Sequence, residues 1–273
     1  MTIGIFDNML NEEYQRSQGV SKSQLDLIAC SPNTFLWNKK APVDTSKLNA
    51  LNMGSALHCL LLEPEEFSKR FIFAPTVNRR TKEGREIEAN FLKKQEKSGV
   101  TIMTNEEHQK LMLLRESVFA HPAAKKLLEL EGYAERSIYW NDKETGELCR
   151  SRFDKQLKDY PIIVDIKKTA QIDKFSSLIH DYRYHVQEAM YKDGFFNHFG
   201  EPAQFLFIVV SETINCGKYP VRIFELDADY SAVGHKLFRK NLELYHQCKT
   251  TNDWGFSEII TAPKWIKNKE EIA

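Results

Sequence analysis

The sequence has five cysteines in 273 residues and no CxxC pair among them. Cys30, Cys59, Cys149, Cys216 and Cys248 are odd in number and widely scattered. That pattern excludes a disulfide framework and argues for a reducing compartment. Net charge is also missing: 38 Lys+Arg against 38 Asp+Glu leave a formal charge of +0. No global basic field advertises a polyanionic partner, so a nucleic acid would have to be held by a local patch. No apolar run is long enough to span a bilayer, and Met1-Thr2-Ile3-Gly4 opens no signal peptide. A cytoplasmic protein without membrane contact is expected. No internal repeat, low-complexity run or clear domain linker interrupts the chain. What is there is ordinary for a globular protein, 42% hydrophobic and 28% charged, with length for one substantial core.

Residues 1–20 are polar and read as a loosely attached, flexible segment, followed by a single domain over 21–273. Ser23 is a candidate N-cap for a short helix with Leu25 and Ile28 inward, and Ser31-Pro32 opens another helix. Lys22, Lys39 and Lys40 read as solvated charges that could also touch a phosphate backbone. Helical spacing predicts a buried helix from Asn49 to Glu63, ended by Pro64. Its Gly54-Ser55-Ala56 run suggests close approach by another element. His58 stands among its leucines as either a satisfied core residue or a ligand. Glu65 to Phe73 reads as a turn and a short strand. The most basic stretch, Asn78 to Arg85, reads as a flexible loop. Its Arg79, Arg80, Lys82 and Arg85 either form a mobile solvated surface or touch DNA phosphates. Thr104 and Glu107 form a capping box for a helix from Asn105 to about Ala120.

From Tyr133 the pattern becomes β. A hairpin is predicted from Ser137–Trp140 and Leu148–Leu157. Asp173 to Phe199 is helical and aromatic-rich, Gln204 to Val210 is a central strand, Val221 to Leu226 another, and Asp229 to about Cys248 a long helix. The architecture expected is α/β, a mixed central sheet flanked by helices with a helical N-terminal part.

The most informative stretch is Ser151 to Thr169. In the run Ile162-Ile-Val-Asp165-Ile-Lys167, side chains two apart share a face, so Asp165 and Lys167 point the same way from an otherwise apolar strand. A hairpin would bring Asp154 beside Asp165. Two carboxylates and an ammonium there can hold Mg²⁺ or Mn²⁺ and stabilise charge during phosphodiester hydrolysis. A surface hairpin carrying an ordinary Lys–Asp pair fits the same residues, but burying such charges unpaired is costly.

The order His58, Asp154, Asp165-Ile-Lys167, Gln187-x-x-x-Tyr191 resembles the PD-(D/E)xK nuclease superfamily in its RecB-like branch. The segments GSALHCLLLEPEEFSKRF, SIYW, ETGELCRSRFDK, DIKKT and DYRYHVQEAMYKDGF look like the RecE-type, exonuclease VIII nuclease family, from about Ser21 onward. The resemblance implies a restriction-endonuclease-like core. It implies metal ligation by His58, Asp154 and Asp165, with Asp154, Asp165, Lys167, Gln187 and Tyr191 as catalytic residues. The further acid of such sites is ambiguous between Glu135 and Glu63. The activity implied is 5′→3′ exonucleolysis of double-stranded DNA ends with Mg²⁺ (Mn²⁺ substituting), leaving 3′ single strands for a RecT-type annealing recombinase. A ring-shaped homo-oligomer, a tetramer in preference to a trimer, is implied as well. Ser21-x-Ser23-x-Leu25 with Cys30 resembles the N-terminal part of an iron–sulfur site, but the C-terminal cysteine triplet is missing, so no cluster is expected. Two other readings remain: a structure-specific or endonucleolytic DNase of the same superfamily, and a non-catalytic DNA-binding relative.

Overall fold

The computed structural model describes residues 2–42, 49–78, 80–95, 99–257, 259–262 and 266. Its strands are β1 (Gly4–Phe6), β2 (Phe71–Phe73), β3 (Thr101–Met103), β4 (Gly132–Asn141), β5 (Leu148–Leu157), β6 (Ile162–Thr169), β7 (Gln204–Ser211) and β8 (Val221–Phe224). The helices up to β4 are α1 (Asn11–Arg16), α2 (Lys22–Cys30), α3 (Pro32–Asn38), α4 (Asn49–Leu62), α5 (Pro64–Arg70), α6 (Lys82–Gln95), α7 (Asn105–Ala120) and α8 (Pro122–Glu129). After β6 come α9 (Phe175–Asp181), α10 (Tyr184–Phe199) and α11 (Ala228–Thr251).

One mixed sheet runs in the order β1-β4-β5-β6-β7-β8, and β2 pairs with β3 in a small parallel sheet. β6 and β7 are parallel, in register from Ile162↔Gln204 to Thr169↔Ser211; the other neighbours in the large sheet are antiparallel. A parallel pair needs a crossover, here supplied by α9 and α10. Strand alternation divides the core into two. Ile163, Phe205, Phe207 and Val209 pack with α10 residues Val186 and Met190 and with Phe238 and Leu242 of α11. Val164, Ile166, Ile208 and Val210 pack on the other side, with Leu57 and Leu61 of α4 and Leu111 and Leu114 of α7. Each such side chain, fully removed from water, contributes ~1.5–3 kcal/mol. This is the expected α/β architecture: a mixed sheet between helical layers, with helices preceding it. Among the described residues no helix is long and apolar enough to cross a membrane.

Several local expectations are corrected. Of the segment 1–20, residues 2–20 are described and do not hang loosely: β1 pairs with β4 through Gly4↔Tyr139 and Phe6↔Ser137, and Tyr14 is buried. Three residues are too few to display alternation, so the strand carries no local signature. Ser21, not Ser23, caps α2, its N–H donating to Gln24 Oε1 at 2.9 Å in a capping box. Residues 65–70 are helical, started by Pro64 at the first turn. Of the small run 54–56, Ala56 is fully buried in the core, whereas Gly54 has no atom of the described residues within 4 Å of the position of a Cβ. The long helix over 173–199 is broken at Tyr182–Arg183, where Arg183 takes the left-handed φ of 54°.

Within the basic stretch 78–85, Lys82–Arg85 form the first turn of α6 instead of a flexible loop, and Arg79 lies outside the described residues. Thr81 N donates to the Asn78 carbonyl at 3.0 Å, Gly84 N donates to Thr81 Oγ1 at 3.0 Å, and α6 begins at Lys82. Gly84 is needed for close approach, since a Cβ there would sit 2.1 Å from the Asn78 oxygen.

Candidate active site

The site is built where β5 and β6 part. They pair only at Lys155↔Val164 and Gln156↔Ile163. At the next step the Asp154 carboxylate takes the place of a backbone acceptor: Ile166 N donates to Asp154 Oδ2 at 2.7 Å. The same oxygen lies 3.5 Å from His58 Nδ1. His58 Nε2 is 2.9 Å from the Ile166 carbonyl. A carbonyl can only accept, so Nε2 donates to it, and Nδ1 is the ring nitrogen left facing the carboxylates. α4 delivers this histidine because Leu57 beside it is fully buried on the sheet.

Glu135 completes the group. It stands across the β4–β5 hairpin from Asp154, between the paired residues Ala134↔Lys155 and Arg136↔Phe153. Its φ is 51°, left-handed and strained for a non-glycine residue inside a strand. Arg152 Nε donates to Glu135 Oε2 at 2.6 Å, and Arg152 also donates to Ser137 Oγ at 3.1 Å and the Met9 carbonyl at 2.9 Å. The ligand atoms of His58, Glu135 and Asp154 all lie within 4.8 Å of one another.

Asp165 is 1% exposed and is held differently. Gln187 Nε2 donates to its Oδ1 at 2.5 Å. Its buried Oδ2 accepts no hydrogen bond among the described residues and meets the Lys167 ammonium at 2.6 Å. Burial pulls the Lys167 pKa down, but the carboxylates of Asp165 and Asp154 outweigh it and hold the ammonium above its ordinary value. The Asp154 carboxyl is pushed up to about 7, by burial first; His58 and Lys167 oppose the shift, and Asp165 and Glu135 add to it. Tyr191 packs its ring on Phe153, centroids 5.2 Å apart, and burial pushes its hydroxyl well above the usual range.

This donor set fits a hard divalent cation: carboxylate oxygens, one imidazole with a proton placed on the far nitrogen, and a buried carboxylate oxygen whose partner is the Lys167 ammonium. The compact trio contains Glu135 in the place expected of Asp165. Glu63, the alternative acid, is ion-paired to Arg70 at 2.9 Å and lines the same cavity without joining the trio.

The cavity measures 390 Å³ and is lined by His58, Glu135, Asp154, Gln187 and Tyr191, together with residues that sequence reasoning had not placed there. Among these are Tyr14, Ser21, Arg152 and Lys22, the last expected as a solvated charge. Burial lowers the Lys22 pKa against the pull of Asp26, 2.7 Å away. Arg152 was legible in one respect: it lies two before Asp154, on the same strand face. Arg80, Lys82 and Arg85 are exposed and do not line the cavity; Arg79 lies outside the described residues.

Comparison with known proteins agrees with this geometry. A family model described as a PDDEXK-like domain of unknown function (DUF3799) matches residues 21–258. A crystal structure from Eubacterium rectale, named "Putative exonuclease", superposes with a TM-score of 0.59 at 13% identity, over 93% of this chain and 96% of that one. It shares the fold. A second structure, of SSO0001, aligns at a TM-score of 0.30 and 14% identity over 72% of this chain and 86% of that one, too weak to carry an argument. No curated protein matches the sequence.

Proposed function

The chain belongs to the PDDEXK-like family DUF3799, and on that premise we propose that it is a metal-dependent nuclease that degrades double-stranded DNA from its ends. Family and fold support nuclease chemistry in general terms. The observation that carries the reading is the meeting of the His58–Glu135–Asp154 trio with the Asp165–Lys167 ion pair where two strands part.

A divalent ion bound there would act as a Lewis acid on the phosphodiester and lower the pKa of the attacking water. Its holders are His58, Glu135 and Asp154, with Asp165 beside them. Lys167, held as an ammonium, would place positive charge beside the phosphoryl oxygens on which negative charge develops. Gln187 orients Asp165, and Arg152 orients Glu135. Tyr191 packs with a tilted ring against Phe153 on the strand that carries Asp154. Hydrolysis forms one P–O bond to water and breaks one to the leaving sugar oxygen, which takes up a proton.

The finer reading is 5′→3′ action leaving 3′ single strands, Mg²⁺ as the ion with Mn²⁺ substituting, a RecT-type annealing partner and a ring-shaped homo-oligomer. It is supported by the sequence resemblance to the RecE type. A neutral chain that must retain a polyanion is compatible with a ring, since a closed ring retains its substrate topologically. The test compares linear and covalently closed circular DNA with Mg²⁺, using substrates labelled at either end. Digestion of the linear form alone, with release from the 5′ end, is expected. Cleavage of closed circles would instead support an endonuclease. Asp165→Ala should abolish cleavage and leave DNA binding largely intact. Near wild-type turnover by that variant would overturn the assignment.

A further inference from the structure

The corner between α9 and α10 carries two tyrosines with Arg183 between them. Arg183 is held in its left-handed conformation by Asp26, whose Oδ1 accepts from the guanidinium Nε at 2.7 Å. Lys22 clamps the same corner, its Nζ donating to the Tyr182 carbonyl at 2.7 Å. The rings form a stack. Tyr182 lies on Tyr184 with centroids 5.6 Å apart and planes at 29°, and Tyr184 continues onto Phe175 at 6.0 Å and 29°. Phe175 in turn stacks on Phe224 at 4.9 Å. The inner end of the stack is core. Its outer member is not: Tyr182 is 58% exposed.

Tyr184 ties this stack to the site, because the Lys167 ammonium sits over its ring, 4.7 Å from the centroid. A separate cleft of 220 Å³ opens between the corner and the end of β6, bordered by Tyr182, Tyr184, Lys168, Gln171 and Glu212. An exposed aromatic ring braced from behind by a second ring and clamped through its own backbone loses little freedom when a flat partner settles on it. The neighbouring ammonium groups of Lys168, Lys22 and Lys167 are ion-paired to Glu212, Asp26 and Asp165, so they offset the acids beside the ring and leave the corner open to a partner attached to an anionic chain. An unpaired nucleobase on its phosphodiester backbone meets both conditions.

We infer that Tyr182, backed by Tyr184, is a stacking platform for an unpaired nucleobase of the strand whose phosphodiester lies at Asp154, Asp165 and Lys167. The inference rests on the nuclease reading above and adds a subsite to it. The base comes either from a single strand or from a frayed duplex end. Sequence preference is weak at such a platform, because every base offers a π-face.

The test measures binding of single-stranded and blunt duplex oligonucleotides with Ca²⁺ in place of Mg²⁺ to silence cleavage. Wild type is compared with Tyr182→Ala and Tyr182→Phe. Tyr182→Ala should weaken single-strand binding roughly fivefold to a hundredfold, the range for loss of one stacked base, while Tyr182→Phe stays near wild type. An oligonucleotide with one abasic position, moved along the strand, should reproduce the loss at one position with wild type and add nothing with Tyr182→Ala. A loss on duplex as well as single strand identifies a frayed end as the source; a loss on single strand alone excludes it. Equal binding by wild type and Tyr182→Ala, with no position sensitive to base removal, would overturn the inference while DNA cleavage by wild type upholds the nuclease reading. A wild type that neither binds nor cuts DNA would overturn both.

Discussion

Replacing Lys167 by alanine leaves Asp165 as a carboxylate that is 1% exposed and stripped of its counter-charge at 2.6 Å. Breaking a buried pair from one side costs about 3–5 kcal/mol. Two features set the value within that range. Gln187 still donates to Oδ1 at 2.5 Å, which favours the lower end. An ordinary aspartyl carboxyl takes up a proton at pH 7 for about 4 kcal/mol, which caps the loss. A chain of this size loses roughly 2 °C of Tm per kcal/mol, so Lys167→Ala in EDTA should melt roughly 6–8 °C below wild type. Calcium should then stabilise the variant more than it stabilises wild type, because the ion restores positive charge beside Asp165. Turnover with Mg²⁺ should still fall about 10²–10³-fold, since the missing charge acts on the transition state. The double variant Asp165→Leu/Lys167→Met should recover most of the stability and none of the activity. The assay is thermal unfolding by circular dichroism in EDTA and in Ca²⁺, with single-turnover cleavage beside it. A variant that melts with wild type in EDTA, or that gains no more than wild type from Ca²⁺, would refute the argument that the ammonium and a divalent ion neutralise one buried carboxylate.

Other expected outcomes follow from the same geometry. The Asp154 carboxyl is pushed up to about 7, so in the metal-free protein its contribution to stability is present below the ordinary aspartate range and is lost as pH rises through about 7. Ion binding needs it ionised, so Mn²⁺ affinity should fall about tenfold for each pH unit below that value; isothermal titration giving a constant affinity between pH 5.5 and 7 would contradict this. In α11, Gly234→Ala would place a Cβ 2.1 Å from the His185 carbonyl oxygen of α10. Overpacking there should cost at least ~1–3 kcal/mol and lower activity by shifting Gln187, readable as Tm and single-turnover rate together. Alanine at Arg80, Lys82 and Arg85 tests whether the start of α6 touches phosphates. For every phosphate that one of these cations neutralises, its removal should flatten the log K versus log salt slope by about one unit on all DNA sequences alike. An unchanged slope would return these cations to the solvated surface.

What the sequence determined by itself was local. Period-two alternation put Asp165 and Lys167 on one face of β6, and the structure joins them at 2.6 Å. The capping box at Thr104 gave α7 its observed first residue, and the apolar run of β7 marked a central strand. Gln187, four before Tyr191 on α10, does reach the strand that carries the pair. Tertiary structure alone decided how distant pieces meet. Pairing of β1 with β4 depends on residues more than a hundred apart and has no period to display. Glu135 enters the trio because its backbone turns left-handed opposite Asp154, a conformation that no propensity of glutamate favours. His58 was a candidate ligand in the sequence, but which ring nitrogen faces the carboxylates was decided by the Ile166 carbonyl, which takes the Nε2 side. Lys22 and Arg152, two cations among many in the sequence, acquired roles from the depth at which the N-terminal segment and β5 bury them. Alternation and capping are written within a few residues, whereas burial and charge neutralisation depend on every element that surrounds a group, and those are set by the completed fold.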